Sequence, residues 1–168
     1  MRLAGKFALV TGGARIIGRA IALGLAREGA DVAILYVNHP DAAQETVRAI
    51  EGVGRRGLAV KADVARPAEV QAAVADVEQR LGPIDVLVSN AGVQKRIFFL
   101  DLQEADWDWI VDTNLKGCYL VGQAVAARMK ARGRGKIVNV SSEAAGFPAQ
   151  RMTAYCVSKA GVAMLTKC

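Results

Sequence analysis

The chain has 168 residues, 52% hydrophobic and 23% charged, a length that closes one sizeable core and a composition that excludes disorder as its main state. Its 22 Lys and Arg against 16 Asp and Glu give a net charge of +6. That excess is spread along the chain; it suits anionic ligands such as nucleotides and gives no ground for a nucleic-acid partner.

No apolar run nears the ~20 residues of a membrane span, so no membrane partner is expected. The segment Met1-Arg2-Leu3-Ala4-Gly5-Lys6 lacks the apolar stretch of a signal peptide. Cys118, Cys156 and Cys168 show no CxxC spacing and read as free thiols in a reducing cytoplasm. One histidine, His39, without paired cysteines leaves no zinc site.

In chain order, Phe7-Ala8-Leu9-Val10 is a short apolar run, as in a strand buried on both faces. A helix follows from about Arg15 to Glu28, ending at Gly29, and Val32–Val37 is the second strand. Asp41–Glu51 reads as a helix, Leu58–Val60 as a third strand, and a helix runs from Pro67 to about Arg80 before Gly82-Pro83. Ile84–Val88 is a fourth strand. Asp101-Leu102-Gln103-Glu104 has the spacing of a capping box and predicts one long helix from Glu104 to Arg132, closed by Gly133. Ile137–Val140 is a fifth strand, and Thr153–Lys167 is helical in pattern. Strands alternating with helices predict an α/β fold, a doubly wound parallel sheet with right-handed crossovers. No repeat, low-complexity tract or linker divides the chain, so one domain over 1–168 is expected.

The first strand runs into Thr11-Gly12-Gly13-Ala14-Arg15-Ile16-Ile17-Gly18, which opens a helix. Glycines let such a turn approach a pyrophosphate, and the helix amino end offers free N–H groups and a partial positive charge. A plain tight turn is the competing reading. The absence of GK[ST] disfavours a P-loop. Tyr155-Cys156-Val157-Ser158-Lys159 places a phenol and an ammonium at i and i+4, on one helix face. A cation there stabilises a phenolate, which makes Tyr155 a candidate proton donor and acceptor near neutral pH.

These segments resemble the short-chain dehydrogenase/reductase family. Of its TGxxxGxG turn, Thr11, Gly12 and Gly18 match, and Ile16 holds the place of the middle glycine. A β-branched residue disfavours unusual backbone angles and adds bulk where a cofactor lies against the main chain, so either the loop shifts or cofactor binding weakens. Val88-Ser89-Asn90-Ala91-Gly92 is similar to the family's NAG motif, Asp63-Val64 to its adenine-contacting pair, and Tyr155 with Lys159 to its YxxxK. Ser142 lies thirteen residues before Tyr155, the family's spacing, and Asn114 in Asp112-Thr113-Asn114-Leu115 matches its helix asparagine.

The resemblance implies a Rossmann-like fold and hydride transfer between NAD(P) and a secondary alcohol or ketone. Asn114, Ser142, Tyr155 and Lys159 would be the catalytic set, with Asn114 holding a relay water, Ser142 orienting the substrate oxygen and Lys159 positioning the nicotinamide ribose. Gly12, Arg15, Ile17, Gly18, Tyr36, Asp63, Val64, Asn90, Gly92, Tyr155 and Lys159 would bind the cofactor. The second strand ends Leu35-Tyr36-Val37-Asn38-His39 without a carboxylate, and Arg15 could pair with a 2′-phosphate, which favours NADP over NAD.

Gln94, Lys95, Arg96, Glu143, Gln150 and Arg151 suit a polar small-molecule substrate, a sugar, a polyol or an acyl-carrier thioester, as in glucose 1-dehydrogenases and 3-oxoacyl-carrier-protein reductases. The resemblance also implies a homo-oligomer packed through the helices beginning at Glu104 and Thr153. Family members continue past the last helix with two more strands and a substrate-covering segment. The chain is therefore expected to be incomplete at the C-terminus, with its fifth strand an open edge. A second reading follows, a truncated, catalytically impaired dinucleotide-fold module acting through protein association.

Overall fold

The computed structural model describes residues 1–168. Five strands form one wholly parallel sheet: β1 (Phe7–Thr11), β2 (Asp31–Tyr36), β3 (Gly57–Lys61), β4 (Val86–Ser89) and β5 (Lys136–Asn139). Their order is β3-β2-β1-β4-β5. Six helices join or follow them: α1 (Ile16–Arg27), α2 (Pro40–Glu51), α3 (Pro67–Arg80), α4 (Glu104–Val111), α5 (Gly117–Arg132) and α6 (Thr153–Lys167). The chain goes outward from β1 to β3, then returns across β1 to β4. The strand order reverses there, so the connections leaving β1 and β4 run to opposite faces of the sheet and leave a crevice beyond its carboxyl end.

Neighbouring residues of β1 point to opposite faces and bury in different layers. Leu9 packs with Leu35, Leu58, Val74, Val77, Leu87 and Val125 under α3 and α5. Ala8 and Val10 pack with Ala22, Ala26, Val32, Ile34 and Ile50 under α1 and α2. Alanines on the second face let α1 lie close to the sheet. The register is Leu9 beside Ala33 on one side and Leu87 on the other. β5 is an edge strand, with Ile137 and Val138 exposed, as the sequence predicts.

Three expectations are corrected. The helix from Glu104 is not continuous to Arg132, because Asp112–Lys116 forms a π-helical turn between α4 and α5, in which Gly117 N–H bonds to Asp112 O. Nor does Asp101 cap α4. It lies in a 3₁₀ turn (Phe99–Asp101), the residue preceding the helix is Gln103, and no side chain caps it. Gln103 instead turns its amide back onto Asp101 O (3.2 Å). β4 begins at Val86 rather than Ile84, because Asp85 turns its carboxylate onto Phe7 N–H (3.2 Å). Gly133 does end α5, at φ 68°, where glycine carries no Cβ penalty. The three cysteines are free, and no helix is long and apolar enough to cross a membrane.

Candidate active site

A cleft of about 910 Å³ runs along the carboxyl end of the sheet. That volume falls within the ~300–1,000 Å³ of ligand and cofactor pockets. At one end stand Tyr36, Asn38, His39, Asp63 and Val64, at the other Tyr155 and Lys159, with Gly12, Arg15, Ile17, Gly18, Asn90 and Gly92 between them. All eleven predicted cofactor residues therefore line one cleft.

The middle of the cleft is a rigid βα turn. Gly12 takes φ 66°, Gly13 N–H bonds to Leu35 O (3.2 Å), and the buried Thr46 hydroxyl of α2 donates to Ala14 O (3.1 Å). Thr11 Oγ1 accepts from the N–H groups of Asn90 and Ala91 (both 2.9 Å). Asn90 Nδ2 donates back to Thr11 O (3.0 Å), so the ends of β1 and β4 are stitched together. α1 has no side-chain cap and no acidic residue in its first turn. The N–H groups of Ile17 and Gly18 have no acceptor in the protein, which suits an anion seated at this end. A dinucleotide thus fits the residues present: free N–H groups at mid-cleft, and a path open from the β2 end to Lys159.

Ile16 stands in this loop as the first residue of α1. It takes φ 45°, the left-handed region, and its side chain is 81% exposed on the cleft wall. For a β-branched residue that conformation costs about 1–2 kcal/mol, with no packing of the side chain to offset it.

α6 carries the reactive pair. Tyr155 and Lys159 lie one turn apart, with Lys159 Nζ 5.8 Å from the Tyr155 ring centre. Lys159 is buried and donates to Val140 O (2.8 Å). Burial pulls its ammonium below the usual lysine range, while the neighbouring Cys118 pushes the other way. The Cys118 thiol is itself pushed up by burial, and it donates to Asn139 Oδ1 (3.2 Å).

Asn114, buried in the π-helical turn, accepts from Val93 N–H (2.7 Å) and donates to Val93 O and Ser158 Oγ (both 3.0 Å). A Cβ on Gly92 would meet Asn114 Oδ1 at 3.3 Å and Lys159 Nζ at 3.6 Å, so both groups border the same small space.

The two serines after β5 part ways. Ser141 lines the cleft and donates to Lys159 O (2.9 Å). Ser142 is outside the cleft lining, and its Oγ accepts Ala144 N–H (3.1 Å) in a 3₁₀ turn (Glu143–Ala145). Of the predicted substrate contacts, only Gln94 lines the cleft. Lys95 is paired with Asp106 (2.7 Å), and Arg151 stacks on Phe98 (4.7 Å). Arg96, Glu143 and Gln150 are exposed. Trp109, Asp112 and Thr113 also line the cleft and were not predicted; their i, i+3, i+4 spacing, which puts them on one helix face, is the signal that could have found them. Asp63 has a turn role besides, accepting from Ala65 N–H (2.9 Å).

The short chain dehydrogenase family profile matches residues 6–168. The chain is 42% identical over 164 residues to the 3-oxoacyl-acyl-carrier-protein reductase FabG of Staphylococcus epidermidis, spanning 96% of this chain and 66% of that protein. It is 44% identical over 161 residues to an L-rhamnose 1-dehydrogenase (NAD(P)(+)) of Sphingomonas sp., spanning 95% of this chain and 63% of that one. A solved short-chain type dehydrogenase/reductase from Mycobacterium marinum superposes with a TM-score of 0.93 at 38% identity, over 98% of this chain and 68% of that one. By sequence over nearly its whole length and by the fold that places its glycine turn opposite Tyr155 and Lys159, the chain belongs to the short-chain dehydrogenase family.

Proposed function

We propose that the protein is an NAD(P)-dependent oxidoreductase that interconverts a secondary alcohol and a ketone, with NADP preferred. The 168 residues act as one dinucleotide-binding domain. The observation that carries this reading is the convergence of the Tyr155–Lys159 pair and the uncapped amino end of α1 on one cleft.

Gly12, Ile17, Gly18 and Asn90 would hold the pyrophosphate region, Tyr36, Asp63 and Val64 the adenosine, and Gly92 and Lys159 the nicotinamide ribose. The bound nicotinamide supplies or takes up a hydride. Tyr155 gives its phenolic proton to the substrate oxygen on reduction and takes it back on oxidation. Lys159 stands beside the ring and stabilises negative charge that develops on that oxygen. Ser141 lines the cleft but commits its hydroxyl proton to Lys159 O, whereas Ser142, just outside that lining, accepts from Ala144 N–H and keeps its own O–H free to donate to the substrate. Asn114 holds Val93 and Ser158, and through them the wall behind Lys159, in place. Preference for NADP is supported by the absence of a carboxylate among Leu35–His39 and by exposed Arg15 on the cleft wall. A polar substrate is supported by Gln94, Asp112 and Thr113 in the lining. The names of the matched relatives point to sugars or 3-oxoacyl thioesters as the first to try. Exposed Tyr119 and Val157, on α5 and α6, suit packing of these helices against a second copy.

The test is a scan of NADP- and NAD-linked turnover over sugars, polyols and 3-oxoacyl thioesters, with Tyr155→Phe beside the unaltered chain. The substitution is expected to cut turnover by ~10²–10⁴-fold and to leave NADPH affinity within about twofold. Undiminished turnover by the phenylalanine variant would remove the proposed proton donor.

A further inference from the structure

We infer that Ile16 is a selectivity gate on the α1 cradle, its side chain narrowing the approach of a dinucleotide's pyrophosphate to the free N–H groups of Ile17 and Gly18 and so weakening their hold on it. This rests on the proposed dinucleotide site and adds what sets its affinity. Three observations combine. The backbone at Ile16 is left-handed (φ 45°), the conformation that favours glycine. The side chain is 81% exposed and lines the cleft, so it stands in the space of the cleft and packs into no wall. The neighbouring Ile17 and Gly18 N–H groups lack acceptors, so the anion-binding surface lies within two residues of the side chain.

Main-chain N–H groups bind an anion only at hydrogen-bond distance, about 2.7–3.2 Å. A branched four-carbon side chain on the open side of the same turn occupies part of that approach. The adenosine end, built by Tyr36, Asp63 and Val64, is untouched by it. The gate therefore acts on phosphate-bearing ligands and spares a nucleoside.

NADPH fluorescence titrations of the full chain, Ile16→Ala and Ile16→Gly, with adenosine binding followed by NMR in parallel, test the gate. Both variants are expected to bind NADPH at least fivefold more tightly than the unaltered chain, and all three to bind adenosine alike. Alanine removes the bulk and keeps the backbone penalty, so a gain confined to Ile16→Gly would assign the effect to strain and overturn the gate. Tight binding by the unaltered chain, within twofold of both variants, would also overturn it while leaving the dinucleotide reading intact. Absence of NADPH binding in all three, Ile16→Gly included, would sink the gate together with the dinucleotide reading.

Discussion

Lys159 shows what its place in the site demands of one residue. Its ammonium is nearly buried, and the one hydrogen bond it makes, to Val140 O, does not replace its lost hydration. Burial therefore depresses its folded value below the usual lysine range, with Cys118 opposing. Below that depressed value the lysine is charged in folded and unfolded chains alike, and pH has no leverage. Above it the folded chain has shed a proton that the unfolded chain keeps up to ~10.4. The unfolded state then binds more protons, and stability rises with pH. Urea unfolding of the wild type and Lys159→Met between pH 7 and 10 should show the difference moving in favour of the wild type as pH rises. A pH-independent difference would show that the lysine is not strained toward neutrality.

At the scale of elements, the π-helical turn between α4 and α5 brings Asn114 to bear on Val93 and on Ser158 of α6. Ser158 in turn donates to Tyr155 O (2.7 Å), so one side chain links the loop after β4 to the backbone of the reactive helix. Asn114→Ala leaves the N–H and C=O of Val93 without their partner and is expected to cost about 2–4 kcal/mol. Ser158→Ala should cost about 1 kcal/mol. The pair should cost less than the sum, because the two share a bond. Chemical denaturation of the four proteins measures this, and strict additivity would mean the shared bond contributes nothing.

Nothing in Asp112-Thr113-Asn114-Leu115-Lys116 announces a π turn, since the side-chain pattern is equally good for an α-helix. What lies across from the turn is equally silent in the sequence: Gly161 packs against Leu115 and Val64 against Gly117, contacts that only the fold brings together. The strands were legible because each is a short apolar run, and Tyr155 with Lys159 because i, i+4 spacing is geometry. Which of two adjacent serines faces the cleft was not legible, because that depends on the 3₁₀ turn after β5. Nor was the backbone at Ile16, where the residue type argues against the left-handed conformation that the surrounding turn imposes.

Across the whole molecule the two ends of the sheet do different work. The carboxyl end is left open, with unpaired N–H groups and a strained residue. The amino end is clamped. Asp31, buried at the start of β2, accepts from Arg55 (2.6 Å) and Arg56 (2.7 Å), and Arg56 continues to Leu81 O (2.7 Å) and over the Phe7 ring (5.5 Å). One carboxylate thus gathers β1, β2, the turn before β3 and the end of α3. Burial raises its proton affinity, but the hydrogen bonds from Arg56 and Arg55 outweigh that and hold it below the usual aspartate range. A carboxylate depressed on folding contributes stability that is present above its unfolded value, ~3.9, and is lost as pH falls through the folded one.

The two arginines keep part of their hydration, at 28% and 56% side-chain exposure, so the clamp is worth less than a fully buried pair. Asp31→Asn should therefore destabilise the fold by about 1–3 kcal/mol at pH 7, and the gap to the wild type should narrow as pH falls below the unfolded value of ~3.9. Because Asp31 stands at the far end of the sheet from the cleft, NADPH affinity below the melting transition should be unchanged. A variant that keeps its stability at pH 7, or that loses ligand affinity while still folded, would contradict this separation of a clamped end from a working end.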